Sequence, residues 1–564
     1  MEALDWLVIG VFFLALIGII VWVVRQKQND SADYFLGGRD ATWLAIGASI
    51  FASNIGSEHL IGLAGAGASS GMAMAHWEIQ GWMILILGWV FVPFYTRSMV
   101  YTMPEFLERR YNPQSRTILS VISLVSYVLT KVAVTVYAGG LVFQQVFGIK
   151  ELWGIDFFWI AAIGLVVLTA LYTIFGGMKS VLYTSVLQTP ILLLGSLIIL
   201  VLGFKELGGW DEMMRVCGAV TVNDYGDTMT NLIRSNDDAN FPWLGALIGS
   251  AIIGFWYWCT DQFIVQRVLS GKNEQQARRG TIFGAYLKLL PVFLFLIPGM
   301  IAFALHQKYI GAGGEGFLPM LENGTANADA AFPTLVAKLL PAGVKGLVVC
   351  GILAALMSSL ASLFNSSAML FTIDFYKRFR PQTSEKKLVG IGQVATVVIV
   401  ILGILWIPIM RSVGDVLYTY LQDVQSVLAP GIAAAFLLGI CWKRTSAQGG
   451  MWGLISGMVI GLTRLGAKVY YSNAGEVADS TFKYLFYDMN WLFFCGWMFL
   501  FCIIVVIVVS LATEAPTAEK IQGLVFGTAT KEQKASTRAS WNHWDIIHTV
   551  IILAITAAFY WYFW

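Results

Sequence analysis

Ala48-Ser-Ile-Phe-Ala-Ser-Asn-Ile-Gly-Ser-Glu-His-Leu-Ile-Gly-Leu63 is the stretch of sequence that decides how this chain folds. It lies in a segment long enough to cross a bilayer, yet polar and ionisable side chains surround the glycine at its centre. Each unpaired polar group in hydrocarbon costs several kcal/mol, so such a helix cannot face lipid. We predict a crossing that is buried in protein or lines a watery cavity. Its helix should loosen near Asn54-Ile-Gly56, which would free backbone carbonyls for a cation.

The rest of the composition is that of a polytopic membrane protein. The 564 residues are 57% hydrophobic and 12% charged, whereas soluble domains average about 25% charged residues. The basic residues are spread over many short loops, so a nucleic-acid-binding face is not indicated. The six cysteines show no metal-site or disulfide spacing. The N-terminus has no evident cleavage site, so we expect the first apolar run to remain as a transmembrane helix.

Hydropathy predicts fourteen membrane spans, and the excess of Lys and Arg in alternate loops predicts that both termini are extracellular. The predicted spans are Leu4–Val24, Trp43–Ala68, Ile79–Tyr95, Ile118–Phe147, Phe157–Phe175, Val181–Leu202, Phe241–Val265, Thr281–Leu305, Val344–Asp374, Val389–Met410, Val416–Cys441, Gly449–Tyr471, Trp491–Leu511 and Trp544–Phe563.

A second polar interruption, Tyr257–Gln262, lies five spans after the first. Interrupted helices at matching positions of two halves indicate a transporter built from inverted repeats. We therefore predict an all-α protein with an extra helix and linker at 1–42, one five-helix repeat at 43–240, a second at 241–445 and three additional helices at 446–564. Chance could also produce two such interruptions.

Small and hydroxylated residues recur on one helical face of the segment 354–367. Ser358, Ser359 and Ser362 share this face, which alone favours a packing seam between helices. The functional alternative is a neutral oxygen cage, in which the hydroxyls of Ser358 and Ser359 meet the freed carbonyls of Ala52 and Ile55. Such a cage suits Na⁺, a hard cation of modest charge density.

Several ionisable residues are predicted at membrane depth, where charges are functional-site hypotheses by default. They are Glu58, Glu78, Lys131, Asp261, Lys288, Asp423 and Arg464. Some could be structural ion pairs. Together with Asn54, His59 and Gln422, they instead suggest hydrogen-bonding groups for the hydroxyls of a polyol. Aromatic residues could stack on its ring, although a buried aromatic is more often plain core.

Five segments resemble the sodium/glucose cotransporters of the solute:sodium symporter family. They are Ala48–Ser57, Tyr257–Asn273, Tyr286–Pro291, Ala355–Ser366 and Pro430–Arg444. The resemblance covers nearly the whole chain, and its Tyr257 block is highly specific. It implies a LeuT-type fold of fourteen helices and Na⁺-driven sugar uptake.

The resemblance also implies roles for individual positions. Sugar contacts are expected from Asn54, His59, Glu78, Tyr257, Trp258, Lys288 and Gln422. Gate positions are expected at Leu63, Trp77, Tyr257 and Tyr418. Na⁺ ligands are expected from Ala52, Ile55, Ala355, Ser358 and Ser359.

The chain departs from the family pattern at three positions. Ser185 stands where many relatives have an aspartate tied to a further cation route, so we expect one Na⁺ per sugar. Gly254 replaces a polar sugar-contact residue, which would drop a hydrogen bond or admit a bulkier solute. Ala361 stands where relatives often have a third hydroxyl.

We therefore expect a multi-pass symporter of the plasma or inner membrane that imports a glucose- or galactose-type hexose with Na⁺. The alternatives are uptake of myo-inositol or another polyol, and a sugar sensor that does not concentrate its ligand. An enzyme is not expected, because the sequence has no paired-carboxylate motif or metal cluster. The oligomeric state is not encoded in any motif, and a monomer is expected to suffice for function.

Overall fold

A computed structural model describes residues 1–26, 30–56, 58–321, 324–411, 417–473 and 478–564 of the chain. The side chains at 129, 130, 145, 409–411, 417–423, 472 and 473 are not described. Within these ranges, ten helical runs are long and apolar enough to cross a membrane, and two shorter apolar helices lie at Trp43–Asn54 and Ala133–Gln144. The protein is thus a helical polytopic membrane protein. The fourteen spans and the outward termini stay predictions.

The α-helices are numbered in chain order, and the first ten precede a short β-hairpin. They are α1 (Ala3–Arg25), α2 (Ser31–Leu36), α3 (Trp43–Asn54), α4 (Ala64–Ser70), α5 (Ala75–Glu78), α6 (Gly81–Ile86), α7 (Val92–Ser98), α8 (Met103–Arg110), α9 (Pro113–Ser126) and α10 (Ala133–Phe147). The hairpin pairs β1 (Glu151–Leu152) with β2 (Ile155–Asp156).

The next eight helices contain the second interrupted crossing and the serine-rich face. They are α11 (Phe157–Leu207), α12 (Trp210–Gly218), α13 (Trp243–Gly254), α14 (Gln262–Leu269), α15 (Glu274–Lys288), α16 (Ile297–Gly311), α17 (Ala331–Leu339) and α18 (Val344–Met369). The last nine are α19 (Lys377–Phe379), α20 (Glu385–Arg411), α21 (Leu417–Cys441), α22 (Ala447–Asn473), α23 (Thr481–Lys483), α24 (Trp491–Ala512), α25 (Ala518–Ile521), α26 (Lys531–Ala539) and α27 (His543–Tyr562).

Many helices contain wide π-helical turns, which often occur at functional sites. These segments are Glu58–Leu63, Leu87–Phe91, Tyr127–Val132, Phe255–Thr260, Val292–Leu296, Leu370–Tyr376 and Tyr484–Asp488. Short 3₁₀ turns lie at Gly37–Arg39, Gly71–Met74 and Ala328–Ala330.

The long helix α11 joins two of the predicted spans through a bend at Gly177. This residue has φ +52° and ψ −148°, a backbone conformation that L side chains rarely adopt. A Cβ there would collide with the backbone of Tyr34, so glycine is required both for the bend and for the close approach.

The core of the protein forms where α3, α11 and α18 pack together, with α15 against α3. Nearly all of α18 is buried, including its serines, which fits a central helix surrounded by others. Helices α21, α22 and α24 form a second packed group. The cavity described below lies beside this core, where both interrupted crossings come together.

Both crossings are interrupted where their polar residues predict. Helix α3 ends at Asn54, Ile55 is extended with ψ 110°, and helix resumes at Glu58. In the second crossing, Asp261 is extended with ψ 128° between the π-helical turn Phe255–Thr260 and α14. The two breaks thus lie in the elements that carry most of the predicted binding residues.

Candidate functional site

The first break leaves backbone carbonyls of α3 open. The last backbone hydrogen bond at the end of α3 runs from the Ile55 N–H to the Phe51 carbonyl, at 3.0 Å. Beyond it, the His59 N–H turns to the Gly56 carbonyl at 3.1 Å. Among the described residues, none after Ile55 donates a backbone N–H to Ala52. A carbonyl at this position can therefore serve a ligand.

A cavity lies next to this break. Both broken crossings, the start of the third predicted span, α10, α15, α18 and α21 contribute to its wall. The lining residues are Asn54, Glu58, His59, Trp77, Glu78, Gln80, Lys131, Val134, Thr135, Ile253, Gly254, Tyr257, Trp258, Phe263, Lys288, Ser359, Leu363 and Gln425.

A buried ion pair forms one wall of the cavity. Lys288 Nζ donates to Glu78 Oε2 at 2.5 Å and to Asn54 Oδ1 at 3.1 Å. Both members of the pair are almost fully buried, with side-chain exposures of 4% and 2%. Because desolvating two charges costs several kcal/mol per ion, such a pair is weak evidence for stability and fits a binding role.

The side chains of His59 and Trp77 on this wall make no hydrogen bond to another described residue. His59 Nε2 lies 3.4 Å from Glu78 Oε2, but neither ring nitrogen makes a hydrogen bond with any described residue. The same holds for the indole N–H of Trp77. Buried polar groups are almost always hydrogen-bonded, so these unsatisfied groups point to a polar ligand in the cavity.

Aromatic rings cover other parts of the wall. The Tyr257 hydroxyl accepts a hydrogen bond from Asn54 Nδ2 at 3.2 Å, which ties the second crossing to the end of α3. The ring of Trp258 lies edge-on to that of Tyr257, with centroids 4.9 Å apart. Trp77 stacks on Trp491 at 5.5 Å. Such surfaces suit the C–H faces of a ring whose edges carry hydroxyls.

A second buried ion pair closes the break in the other crossing. Lys131 Nζ donates to Asp261 Oδ2 at 2.7 Å, and the Tyr127 hydroxyl donates to Asp261 Oδ1. Asp261 Oδ1 also accepts from the Phe263 N–H at 3.3 Å and so caps α14. Lys131 further lies over the ring of Tyr257, 4.8 Å from its centroid.

The candidate Na⁺ ligands lie where α3 and α18 pack against each other. Ala52, Ile55, Ala355, Ser358 and Ser359 are each at most 2% exposed. The hydroxyls of Ser53 and Ser362 are 2.6 Å apart and join the two helices directly. Buried hydroxyls beside free carbonyls are the hard, neutral oxygen donors that Na⁺ accepts, so the residues fit this ion. The chain has no group of three or more His, Cys, Asp or Glu residues suited to a metal ion within its described residues.

Ser185 belongs to the same serine cluster. Its hydroxyl lies 3.3 Å from that of Ser358 and 3.5 Å from that of Ser49, and it donates to the Val181 carbonyl at 2.6 Å. A neutral hydroxyl thus occupies the place where a carboxylate would add a charge beside the candidate cage.

Most of the predicted sugar-contact residues meet in the cavity. These are Asn54, His59, Glu78, Tyr257, Trp258 and Lys288. Of the predicted gate residues, Trp77 and Tyr257 line the cavity, whereas Leu63 is fully buried and does not. The side chains of Tyr418 and Gln422 lie outside the described residues.

Five polar lining residues were not predicted as contacts: Glu58, Gln80, Lys131, Thr135 and Gln425. Glu58 and Lys131 did stand out as charges at membrane depth, which was the signal available. No signal marked Gln80. It fills the space beside Gly254, where a Cβ would come within 2.5 Å of its amide oxygen. The amide of Gln80 thus occupies space that a side chain at residue 254 would need.

The amide of Gln80 is fixed on both sides. Its Nε2 donates to the Ser250 carbonyl at 2.8 Å, and its Oε1 accepts from the indole N–H of Trp258 at 3.2 Å. It thus orients Trp258 toward the cavity.

Comparison with known proteins gives consistent matches along the whole chain. The family model for the sodium:solute symporter family matches residues 34–457. The sodium/myo-inositol cotransporter 2 of Homo sapiens is 36% identical over 94% of this chain and 79% of that protein. The sodium/glucose cotransporter 4 of Danio rerio is 36% identical over 96% of this chain and 84% of that protein.

Two solved structures share the fold. A Na⁺-coupled sialic acid symporter in a substrate-bound, outward-open state has a TM-score of 0.72 and 21% identity, covering 92% of this chain and 99% of its own. MhsT in complex with L-phenylalanine has a TM-score of 0.50 and 12% identity, covering 86% of this chain and all of its own.

Proposed function

Since the chain belongs to the sodium:solute symporter family, we propose that it imports a neutral, polyhydroxylated ring, a glucose- or galactose-type hexose, by alternating access together with Na⁺. It is a multi-pass membrane protein and a Na⁺-coupled solute symporter. The family and the relatives are transporters, so they lend no support to a membrane enzyme.

One observation carries the choice of solute. The cavity combines charged hydrogen-bonding groups with unsatisfied neutral donors and aromatic faces, all at the first break. A ring with hydroxyls on its edges and C–H groups on its faces complements this set. We propose that Asn54, His59, Glu78 and Lys288 bind hydroxyls and that Tyr257 and Trp258 cover the ring. Gln422 stays part of this proposal through the family resemblance.

Na⁺ would couple the two halves of the site. In this proposal, Ala52, Ile55, Ala355, Ser358 and Ser359 supply its ligands. Binding there would bridge α3 to α18 and hold the first break in its binding-competent form. The solute would then contact Asn54, the last residue of α3, only two residues from Ala52. Trp77 and Tyr418 would cover the solute from outside, with Leu63 packed behind them, and Tyr257 would release it inward.

We propose one Na⁺ per solute, because Ser185 adds no charge beside the cage. One charge crossing 100 mV gains about 2.3 kcal/mol, and a tenfold Na⁺ gradient adds about 1.4 kcal/mol. Together these support roughly 500-fold accumulation of the solute. A second ion would square that ratio, so the accumulation limit reports the stoichiometry.

The second candidate solute is myo-inositol or a related cyclitol. The relatives that favour it are the sodium/myo-inositol cotransporters, which match the chain as well as the sodium/glucose cotransporter does. A cyclitol offers the same kinds of contact as a hexose. The choice between them depends on groups in the cavity beyond the Glu78–Lys288 pair.

The LeuT-type organisation, with repeats at 43–240 and 241–445 flanked by 1–42 and 446–564, also belongs to the proposal. The two structural matches support its fold. A single chain contains every group used above, so a monomer would suffice.

Uptake into proteoliposomes tests the proposed function. We expect labelled D-glucose or myo-inositol to accumulate under an inward Na⁺ gradient with negative potential inside, and not under a K⁺ gradient. Glu212→Gln in the outer helix α12 is a matched control that should leave uptake unchanged. Binding without accumulation would favour a sensor, and no Na⁺ dependence of either solute would refute the proposal.

A further inference from the structure

Glu58 places a carboxylate at the first break. It is the first residue of the helical run that continues through α4, and it lines the cavity. Its two carboxylate oxygens lie where a Cβ at residue 56 would be, so the absence of a side chain at Gly56 leaves room for them. The carboxyl group therefore lies at the N-terminal end of this helical run, where the helix dipole favours a negative charge.

Both lysines of the cavity are already paired with other acids. Lys288 binds Glu78 at 2.5 Å, and Lys131 binds Asp261 at 2.7 Å. Both line the same cavity as Glu58. Within the described part of the chain, however, no cationic group lies within ion-pair distance of the Glu58 carboxylate. This carboxylate thus has acceptor capacity that faces the ligand.

The chemistry of such a position is selective. The N-terminus of a broken half-helix is where transporters of this architecture hold anionic groups of a substrate. Here the chain supplies its own anion, so a carboxylated sugar would be repelled. A carboxylate can only accept hydrogen bonds, so it needs a donor from the solute.

Two solutes of the proposed class differ in their donors. A hexose in its pyranose form has an ether oxygen in the ring, which offers no proton. A cyclitol has a hydroxyl on every ring carbon and can serve Glu58 and Glu78 together in several orientations. The additional acceptor therefore favours the cyclitol.

We propose that Glu58 is a specificity-determining residue of the solute site: its carboxylate accepts a hydrogen bond from a ring hydroxyl, favours a cyclitol such as myo-inositol over an aldohexose, and excludes sugar acids. The proposal rests on the proposed function, Na⁺-coupled uptake of a polyhydroxylated ring, and within that class it ranks the second candidate solute, a cyclitol, above the hexose.

Transport by the full-length wild type, Glu58→Gln and Glu58→Ala in proteoliposomes tests this role, with Glu212→Gln as the control. The half-saturating concentrations of myo-inositol and D-glucose are measured separately, since they do not depend on the amount of active protein. In both Glu58 variants we expect the value for myo-inositol to rise about 10- to 100-fold, as for the loss of a hydrogen bond to a charged group. The value for D-glucose should change less than threefold.

Competition by D-glucuronate tests the exclusion of anions. It should not inhibit wild-type uptake, and it should inhibit uptake by Glu58→Ala. Deoxyinositols provide a test that does not depend on how a variant folds. The deoxyinositol that lacks the hydroxyl bound by Glu58 should bind the wild type about as weakly as myo-inositol binds Glu58→Gln. The Glu58→Gln substitution should cause no further loss of affinity for this deoxyinositol.

Several results would overturn the inference while leaving the proposed function intact. They are a parallel change for myo-inositol and D-glucose, no change for either solute, no inhibition of Glu58→Ala by D-glucuronate, or deoxyinositol losses that add to that of Glu58→Gln. Failure of the wild type to take up either solute with Na⁺ would instead refute the proposed function itself.

Discussion

The two broken crossings differ in what happens to the backbone groups that an interrupted helix leaves without hydrogen-bond partners. At the first, α3 ends at extended Ile55, and no described residue after Ile55 donates a backbone N–H to the Ala52 carbonyl. At the second, Asp261 caps α14 with its own carboxylate, and Lys131 neutralises that charge. We call the first break open, because a backbone carbonyl stays available to a ligand there. The second is closed, because the Asp261 carboxylate caps the helix that follows it.

This difference separates binding from support. Polar groups satisfied within the protein have little to offer a ligand, whereas unsatisfied groups gain from binding one. The first break should therefore hold the ion and part of the solute. The second break should hold the aromatic side chains of Tyr257 and Trp258 at a fixed angle. We expect its ion pair to contribute more to the stability of the folded protein than to the affinity for Na⁺ or solute.

Removing the cap of the second break should have the largest effect. Asp261→Asn would leave Lys131 buried without its counter-ion, which we expect to destabilise the folded protein by about 3–5 kcal/mol. Thermal unfolding of the purified protein in detergent measures this loss. The double variant Asp261→Asn with Lys131→Met should recover much of it, because no buried charge is left unpaired. In both proteins, the Na⁺ concentration for half-maximal uptake should stay near the wild-type value.

A large change in the Na⁺ requirement of that double variant would show that the second break also serves the ion, and the contrast between the two breaks would fail.

At the first break, Lys288→Ala should mainly affect the solute. It removes the donor to Asn54 and the counter-ion of Glu78, and we expect the half-saturating solute concentration to rise about 100-fold, or about 2.7 kcal/mol. Kinetics of uptake in proteoliposomes measure this shift. Lys345→Ala, at the N-terminal end of α18, is the matched control and should transport normally. Unchanged kinetics in Lys288→Ala would remove Lys288 from the site.

The positions of the two helix interruptions could be predicted from the sequence, but the side chains that pack around them could be predicted less well. Polar residues in an apolar run cannot face lipid, so Asn54–His59 indicated an interruption without any knowledge of neighbours. The charges at Glu78 and Lys288 also stood out, but they are 210 positions apart and only the fold could pair them. Gly254 shows the limit, because a glycine does not reveal which side chain fills its space. Here the side chain that fills the space is that of Gln80, which belongs to a different segment of the chain.

A smaller effect should come from the serine face of α18. Ser359 lines the cavity and is a candidate Na⁺ ligand. We expect Ser359→Ala to raise the half-saturating Na⁺ concentration about tenfold, equivalent to about 1.4 kcal/mol. Ser367 provides a matched control on the same helix, since its buried hydroxyl has no hydrogen-bond partner among the described residues. Ser367→Ala should leave the Na⁺ dependence unchanged. An equal response of the two variants would make the serine face a packing seam.

The smallest expected effect concerns the C-terminal end of the first crossing, where Asp329 packs against Gly65 of α4. Burial raises the pKa of Asp329 to about 6 from its ordinary 3.8. The folded protein therefore binds this proton more tightly than the unfolded chain does. Its contribution to stability is present below about pH 4 and is lost as the pH rises through about 6.

Because Asp329 is partly exposed, we expect this contribution to be about 1 kcal/mol. Asp329→Asn cannot lose a proton, so its apparent unfolding temperature should fall less than that of the wild type between pH 4 and pH 7. Asp211→Asn, on the exposed surface of α12, should follow the wild-type curve. Parallel curves for the wild type and Asp329→Asn would mean that Asp329 adds no pH-dependent stability to the C-terminal half of the first crossing. The open break would then depend only on its ligands and on the packing of α3 against α18.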